Sequence, residues 1–132
     1  MASIFSKIIA GEIPCHKIAE TDRFISFLDI MPLETGHTLV IPKKEVDYIF
    51  DISSDEYADL WRFAQKVARA IDSAVPCTRV GVAVIGLEVP HAHIHLIPLH
   101  QDPINFAKPK LKPSQDELKA VAEKIRIAYS GL

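Results

Sequence analysis

The sequence predicts an α+β fold: a mostly antiparallel five-stranded sheet with one long helix packed on it, a short N-terminal helix and a C-terminal helix. Three observations lead there. Five short runs rich in β-branched and aromatic residues are separated by turn residues. A stretch of about six helical turns has apolar residues at every third or fourth position. The connections between strands are short, which favours antiparallel neighbours over crossovers.

Taken in order, Ile4 to Ala10 carries apolar pairs one turn apart between a capping Ser3 and a Gly11 stop, so it reads as a short helix that Pro14 keeps from continuing. His16–Glu20 and Phe24–Ile30 read as strands around a Thr21-Asp22 turn. His37-Thr38-Leu39-Val40-Ile41 reads as a strand ended by Pro42. Ser53-x-x-Glu56 fits a capping box at the head of the long helix, with Leu60, Phe63, Ala64, Val67 and Ile71 forming the stripe that should lie on the sheet. Pro76 ends that helix, and Arg79 to Ile85 forms a Val-rich strand closed by Gly86. Pro90 to Pro98 is the fifth strand. Leu99 to Pro113 reads as an irregular loop, its Lys108, Lys110 and Lys112 read as solvated charges, with attraction of phosphate toward a cleft as the alternative. Ser114-x-x-Glu117 caps the last helix, with Leu118, Val121, Ala122 and Ile125 on its buried side.

Composition narrows the function classes. With 132 residues, 48% hydrophobic and 24% charged, the chain is expected to be one domain, residues 1–132, with a core of its own. A net charge of −2 offers no general attraction for nucleic acid. Cys15 and Cys77 lack Cys-x-x-Cys spacing, no secretory leader is visible, and no apolar run approaches the roughly 20 residues of a membrane span. A cytoplasmic location, no membrane and no nucleic-acid partner are the expectations.

The chemistry concentrates in Pro90-His91-Ala92-His93-Ile94-His95-Leu96-Ile97-Pro98. In an extended strand His91, His93 and His95 line one face, and Ala92, Ile94 and Leu96 the other. Neighbouring imidazoles are then roughly 7 Å apart and the outer pair roughly 13 Å, enough to follow a phosphate chain. Three uses of such a row are open. The rings could be structural, although each buried imidazole needs its own polar partner. They could hold zinc, which takes four ligands, or three and a water. They could perform phosphoryl or nucleotidyl transfer, a central imidazole attacking phosphorus while a neighbour stabilises the phosphate oxygens and protonates the leaving group.

His91-Ala92-His93-Ile94-His95-Leu96-Ile97 resembles the signature of the histidine triad (HIT) family, in which three histidines alternate with apolar residues. Ile4-Phe5-x-Lys7-Ile8-Ile9-x-Gly11-Glu12-Ile13-Pro14, Phe27-Leu28-Asp29-Ile30-x-Pro32 and Gly36-His37-Thr38-Leu39-Val40-Ile41-Pro42-Lys43-Lys44 are similar to blocks of its Hint branch. The resemblance implies a HIT-like fold and a homodimer. The implied reaction is hydrolysis or transfer at the α-phosphate of nucleotides, often purine nucleoside phosphoramidates. It makes His93 the nucleophile, His95 the contact to phosphate and leaving group, His91 an orienting residue and His37 a fourth histidine near the phosphates. It places Asp29 on the ribose hydroxyls and Ile4, Phe5, Ile8, Phe27 and Ile30 around the base. A turn-forming role for Asp29 and a plain core role for Phe5, Ile8 and Phe27 are the competing readings. His16 and His100 are assigned to the surface.

The chain departs from the family pattern at several places. The strand before the triad has no Asn, Leu87 and Glu88 replace an amide and a hydroxyl residue, and Leu99 replaces an Arg. Ser3, Ser6 and Glu45 stand where some relatives carry the Cys, Cys and His of a zinc site, so no metal and no cofactor are expected. The overall expectation is a metal-independent nucleotide hydrolase. The alternatives are a nucleotide-binding or partner-regulating module with little catalysis, and a metal-dependent hydrolase.

Overall fold

The computed structural model describes residues 2–132. Helix α1 (Ile4–Ile9) leads into strands β1 (Lys17–Glu20), β2 (Phe24–Leu28) and β3 (Thr38–Pro42). After a single 3-10 turn at Ile49–Asp51 come α2 (Ser54–Ala74), β4 (Arg79–Ala83), β5 (Ile94–Leu99) and α3 (Gln115–Ser130). The strands form one sheet in the order β1-β2-β3-β5-β4, with every neighbouring pair antiparallel. This is the α+β architecture expected from the sequence.

Strand alternation divides the side chains between two faces. Ile18, Phe24, Val40, Ile94 and Leu96 pack beneath α2 and α3, against Leu60, Phe63, Ala64, Val67 and Ile71 of the first and Leu118, Ala122 and Ile125 of the second. The α2 stripe is thus the one read from periodicity, widened by Ala70. Ile25, Phe27, Leu39 and Ile41 point the other way and pack with Phe5, Ile8 and Ile9 of α1. In register across this second face run Phe27, Leu39 and His95. One side of the sheet therefore lies mostly in the core, and the short α1 covers only part of the other.

Several local expectations are corrected. Ser53 caps α2 by position, but its side chain makes no capping bond; Tyr57 N–H reaches the Ser53 carbonyl instead, and burial of the apolar stripe holds the helix. At α3 the capping box is complete, Ser114 Oγ accepting from Glu117 N–H and Glu117 Oε1 from Ser114 N–H, each at 3.1 Å. Pro42 is the last residue of β3, opposite Phe24, and not a residue beyond it. The fifth strand begins at Ile94, not at Pro90. Its pairing with β3 ends at Val40–Ile94, because the Pro42 carbonyl accepts the His91 ring N–H at 2.7 Å and Ala92 N–H turns to the Val46 carbonyl.

Candidate active site

The histidines do not form the simple row that an extended strand predicts. His95 is on β5, and His93 lies just before it on the same side of the sheet; the ring centroids are 4.9 Å apart. His91 is completely buried, wedged between Ser3 and Pro42, and faces no cavity. His37, adjoining β3, is also buried, and its Nε2 lies 3.0 Å from His95 Nδ1. Ala92, Ile94 and Leu96 enter the core on the opposite side, as alternation requires.

The hydrogen-bond partners determine where the ring protons sit. Leu33 N–H donates to His37 Nδ1 at 3.1 Å, so a neutral His37 carries its proton on Nε2 and donates to His95 Nδ1. A neutral His95 then carries its own proton on Nε2. His93 Nδ1 lies 2.7 Å from the His91 carbonyl, an acceptor only, so Nδ1 holds the proton and Nε2 keeps a free lone pair. His91 donates from Nε2 to Pro42 and accepts at Nδ1 from Ser3 Oγ at 2.8 Å. Two adjacent rings thus present opposite functions, a lone pair on His93 and an N–H on His95.

Electrostatics keep the supporting rings neutral. Burial, then His95 and Lys110, lower the His37 pKa to about 3. Burial, then His93 and Lys110, lower that of His95 to about 4. Burial also lowers His91, opposed by the Pro42 carbonyl and by Glu45.

A cavity of about 380 Å³ opens beside these rings, bordered by Ile4, Phe5, Ile8, Phe27, Asp29, Ile30, His93 and His95. All the residues expected around a base and ribose are therefore brought together. Phe5 and Phe27 also belong to the core, at 7% and 3% exposure, whereas Ile4 and Ile30 are at 51% and 59%. The apolar wall is part packing and part open surface. Phe5 further sets its ring edgewise to His93 with centroids 5.0 Å apart. An adjoining cavity of about 240 Å³ is lined by Asp29, His37, Gly86, Glu88, His93, His95, Phe106 and Lys110, among others. His16 is half-buried and bonded to Gln115, and His100 is exposed; neither lines these cavities.

Asp29 makes the local turn weighed for it and also borders the cavity. Its Oδ1 accepts from Met31 N–H at 2.9 Å, a local turn, while Oδ2 lies 3.8 Å from His37 Nε2. Burial raises its pKa, against lowering by Met31 N–H, Lys110 and His93.

One residue of the site was missed, and one was weighed only as an alternative. Phe106 sets its ring edgewise to His95 at 4.9 Å, and Lys110, read as a solvated loop charge, lines the histidine cavity. Their loop is irregular, so no periodicity points them inward. It is held by Leu111 N–H to the Pro32 carbonyl and by the 2.6 Å Lys108–Glu34 ion pair. Three lysines between prolines beside a phosphate-sized cleft were the only available signal.

Behind the site, Ser3, Ser6, Glu45 and His91 make a knot. Glu45 Oε1 accepts from Ser3 N–H and Ser6 Oγ–H, both at 2.7 Å. These bonds hold its pKa down at about 2, with a small contribution from His91. Ser3 Oγ accepts from Ser6 N–H at 3.0 Å as the cap of α1 and donates to His91. The knot ties the helix bearing Ile4, Phe5 and Ile8 to the residue whose carbonyl orients His93.

Known proteins share this arrangement of chain. The pattern of the HIT domain matches residues 10–102. Adenosine 5'-monophosphoramidase hnt1 of Schizosaccharomyces pombe is 36% identical over 128 residues, covering 95% of this chain and 96% of that protein. A Hit-like protein involved in cell-cycle regulation from Bartonella henselae superposes with a TM-score of 0.84 at 34% identity, covering 96% of this chain and 95% of the other. A Zn-bound histidine triad family protein from Mycobacterium smegmatis superposes at 0.81 with 27% identity, covering 99% and 95%. With the histidine motif, the fold and the matched length in agreement, the chain belongs to the HIT family.

Proposed function

We propose that this protein is a nucleotide hydrolase that cleaves purine nucleoside phosphoramidates at the α-phosphate through a covalent nucleotidyl-His93. The observation that carries the reading is the pair of oppositely set rings: a lone pair on His93 Nε2 and a proton on His95 Nε2, beside an apolar cavity with a carboxylate at its edge. The base would lie among Ile4, Phe5, Ile8, Phe27 and Ile30, and Asp29 Oδ2 would accept from the ribose hydroxyls.

In the first step His93 Nε2 bonds to phosphorus and the P–N bond breaks, its electron pair staying on nitrogen. A phosphoramidate protonated on nitrogen then releases a neutral amine, and the charge moves to the His93 ring, where Nδ1–H remains bonded to the His91 carbonyl. In the second step the oxygen of water bonds to phosphorus, the P–N bond to His93 breaks, one proton passes to solvent and His93 returns neutral. His95 donates a hydrogen bond to a phosphate oxygen throughout. It does not surrender its proton, since that would leave an imidazolate beside His37; in this respect the ring differs from the proton donor expected from the motif.

No metal is needed in this scheme. Asp29, His37 and His95 bring ligand atoms within 4.8 Å of one another, but the Leu33 N–H at His37 Nδ1 forces a proton onto the nitrogen that would bind. Nor do Ser3, Ser6, Glu45 and His91 suit zinc, which prefers thiolate and imidazole to hydroxyls already engaged with Glu45 and with His91.

We place the protein in the cytoplasm as a homodimer; the free thiols of Cys15 and Cys77 suit a reducing compartment. The edge strand β4 borders a patch with exposed Tyr48, Phe50, Val82, Ile85 and Leu87, a surface of the kind a second copy would cover.

A catalytically weak nucleotide-binding module is the second reading, favoured by the Glu88 carboxylate on the cavity wall. Incubation with adenosine 5'-phosphoramidate followed by mass spectrometry separates the two. The hydrolase gives AMP and an adenylyl adduct on His93, and His93→Ala abolishes both while circular dichroism stays unchanged. Tight binding without product or adduct would establish the module instead.

A further inference from the structure

Between β4 and the histidines the chain passes through Gly86-Leu87-Glu88-Val89-Pro90. Gly86 has φ +76°, the left-handed conformation that glycine adopts without strain, and the turn swings the following residues over the site. Glu88 is exposed and borders both cavities that meet at His93 and His95. Among the described residues its carboxylate enters no ion pair. Lys110, the cation in the same cavity, acts on Asp29, His37 and His95 and, among the described residues, forms no ion pair with Glu88. The wall thus carries a cation on the side of the supporting histidines and an uncommitted anion elsewhere.

A nucleoside in the apolar cavity with phosphorus at His93 leaves the histidine cavity for the departing group. We propose that Glu88 is a specificity-determining residue that selects leaving groups carrying positive charge. The preferred substrates are then nucleoside phosphoramidates of amines bearing a second, cationic group, and polyanionic leaving groups such as phosphate chains are disfavoured. This rests on the phosphoramidate reading above and extends it from the bond broken to the identity of the amine. A unit charge at roughly 6 Å in a water-like dielectric corresponds to about a tenfold preference between leaving groups of charge +1 and −1. Because the carboxylate is exposed, added salt should reduce that preference.

The test compares three adenosine 5'-phosphoramidates of similar chain length, made from 1,4-diaminobutane, butylamine and 4-aminobutyrate, whose free ends are cationic, neutral and anionic. In low salt the wild-type protein should show kcat/KM falling in that order, with about tenfold between the extremes and a smaller spread in 1 M salt. Glu88→Gln should bring the three within about twofold, and Glu88→Asp should keep the order. A flat wild-type series, or an unchanged ratio in Glu88→Gln, would overturn the proposal. Calorimetric binding of the same compounds to His93→Ala reads the preference without turnover. Charge-ordered binding with no adduct in the wild type would thus sink the hydrolase reading and spare Glu88, whereas turnover with no charge order would do the reverse.

Discussion

Ser3 offers the sharpest test of how the site is built, because one buried hydroxyl, only 6% exposed, serves two partners. It accepts from Ser6 N–H as the cap of α1 and donates to His91 Nδ1 at 2.8 Å. Ser3→Ala removes both. Loss of the cap costs about 1 kcal/mol, and a fully buried imidazole nitrogen left without its donor costs about 1–3 kcal/mol. Ser6 Oγ, 3.5 Å from the same nitrogen, can shift to recover part of this, so the expected loss is about 2–3 kcal/mol. Urea unfolding at a fixed protein concentration measures it, as a lower midpoint at unchanged slope. On heating, the melting temperature should fall roughly 3–4 °C per kcal/mol for a chain of this length. Ser3→Thr should retain most of the stability, and Ser6→Ala should lose less than Ser3→Ala. A Ser3→Ala protein within about 0.5 kcal/mol of wild type, a change typical of inert surface sites, would show that the His91 knot does not hold the site together.

Two further outcomes follow from the buried rings and their charges. His37 and His95, with pKa values of about 3 and 4, stay neutral in the folded protein while the unfolded chain protonates them below about 6.5. Their contribution to stability is therefore intact above that value. It declines on acidification toward the folded pKa values, by about 1.4 kcal/mol per pH unit per ring. Urea titrations at pH 7, 6 and 5 should show the decline, and a flat profile contradicts neutral burial. Lys110→Ala removes a cation that lowers both rings, so the acid limb of kcat/KM should move to higher pH while KM for the nucleotide rises several-fold. An acid limb that stays in place would mean that Lys110 lies outside the working site.

The elements with strong local causes were legible in the chain. Ser114-x-x-Glu117 forms its capping box because the partners are three residues apart on one turn. The α2 stripe lies on the sheet because helical period and burial coincide. Alternation likewise put Ala92, Ile94 and Leu96 into the core. Ser53-x-x-Glu56 has the same spacing as the α3 box and makes no side-chain bond, so spacing permits a cap without compelling one.

Local rules could state that His91, His93 and His95 alternate, but not that they have different surroundings. His91 is drawn into the interior by Ser3 and Pro42, which are 88 and 49 residues away in the chain. The ring-proton pattern begins at Leu33 N–H and passes through His37 before reaching His95. Phe106 and Lys110 enter the cavity from a loop whose position is set by contacts with Pro32 and Glu34. Residue order thus supplied the kinds of group and their spacing along each element, since dihedral preference and hydrophobic period act over a few residues. Which nitrogen carries a proton, which ring is sealed away and which faces the cavity depended on partners brought together by packing, because hydrogen bonding and desolvation respond to distance in space and not along the chain.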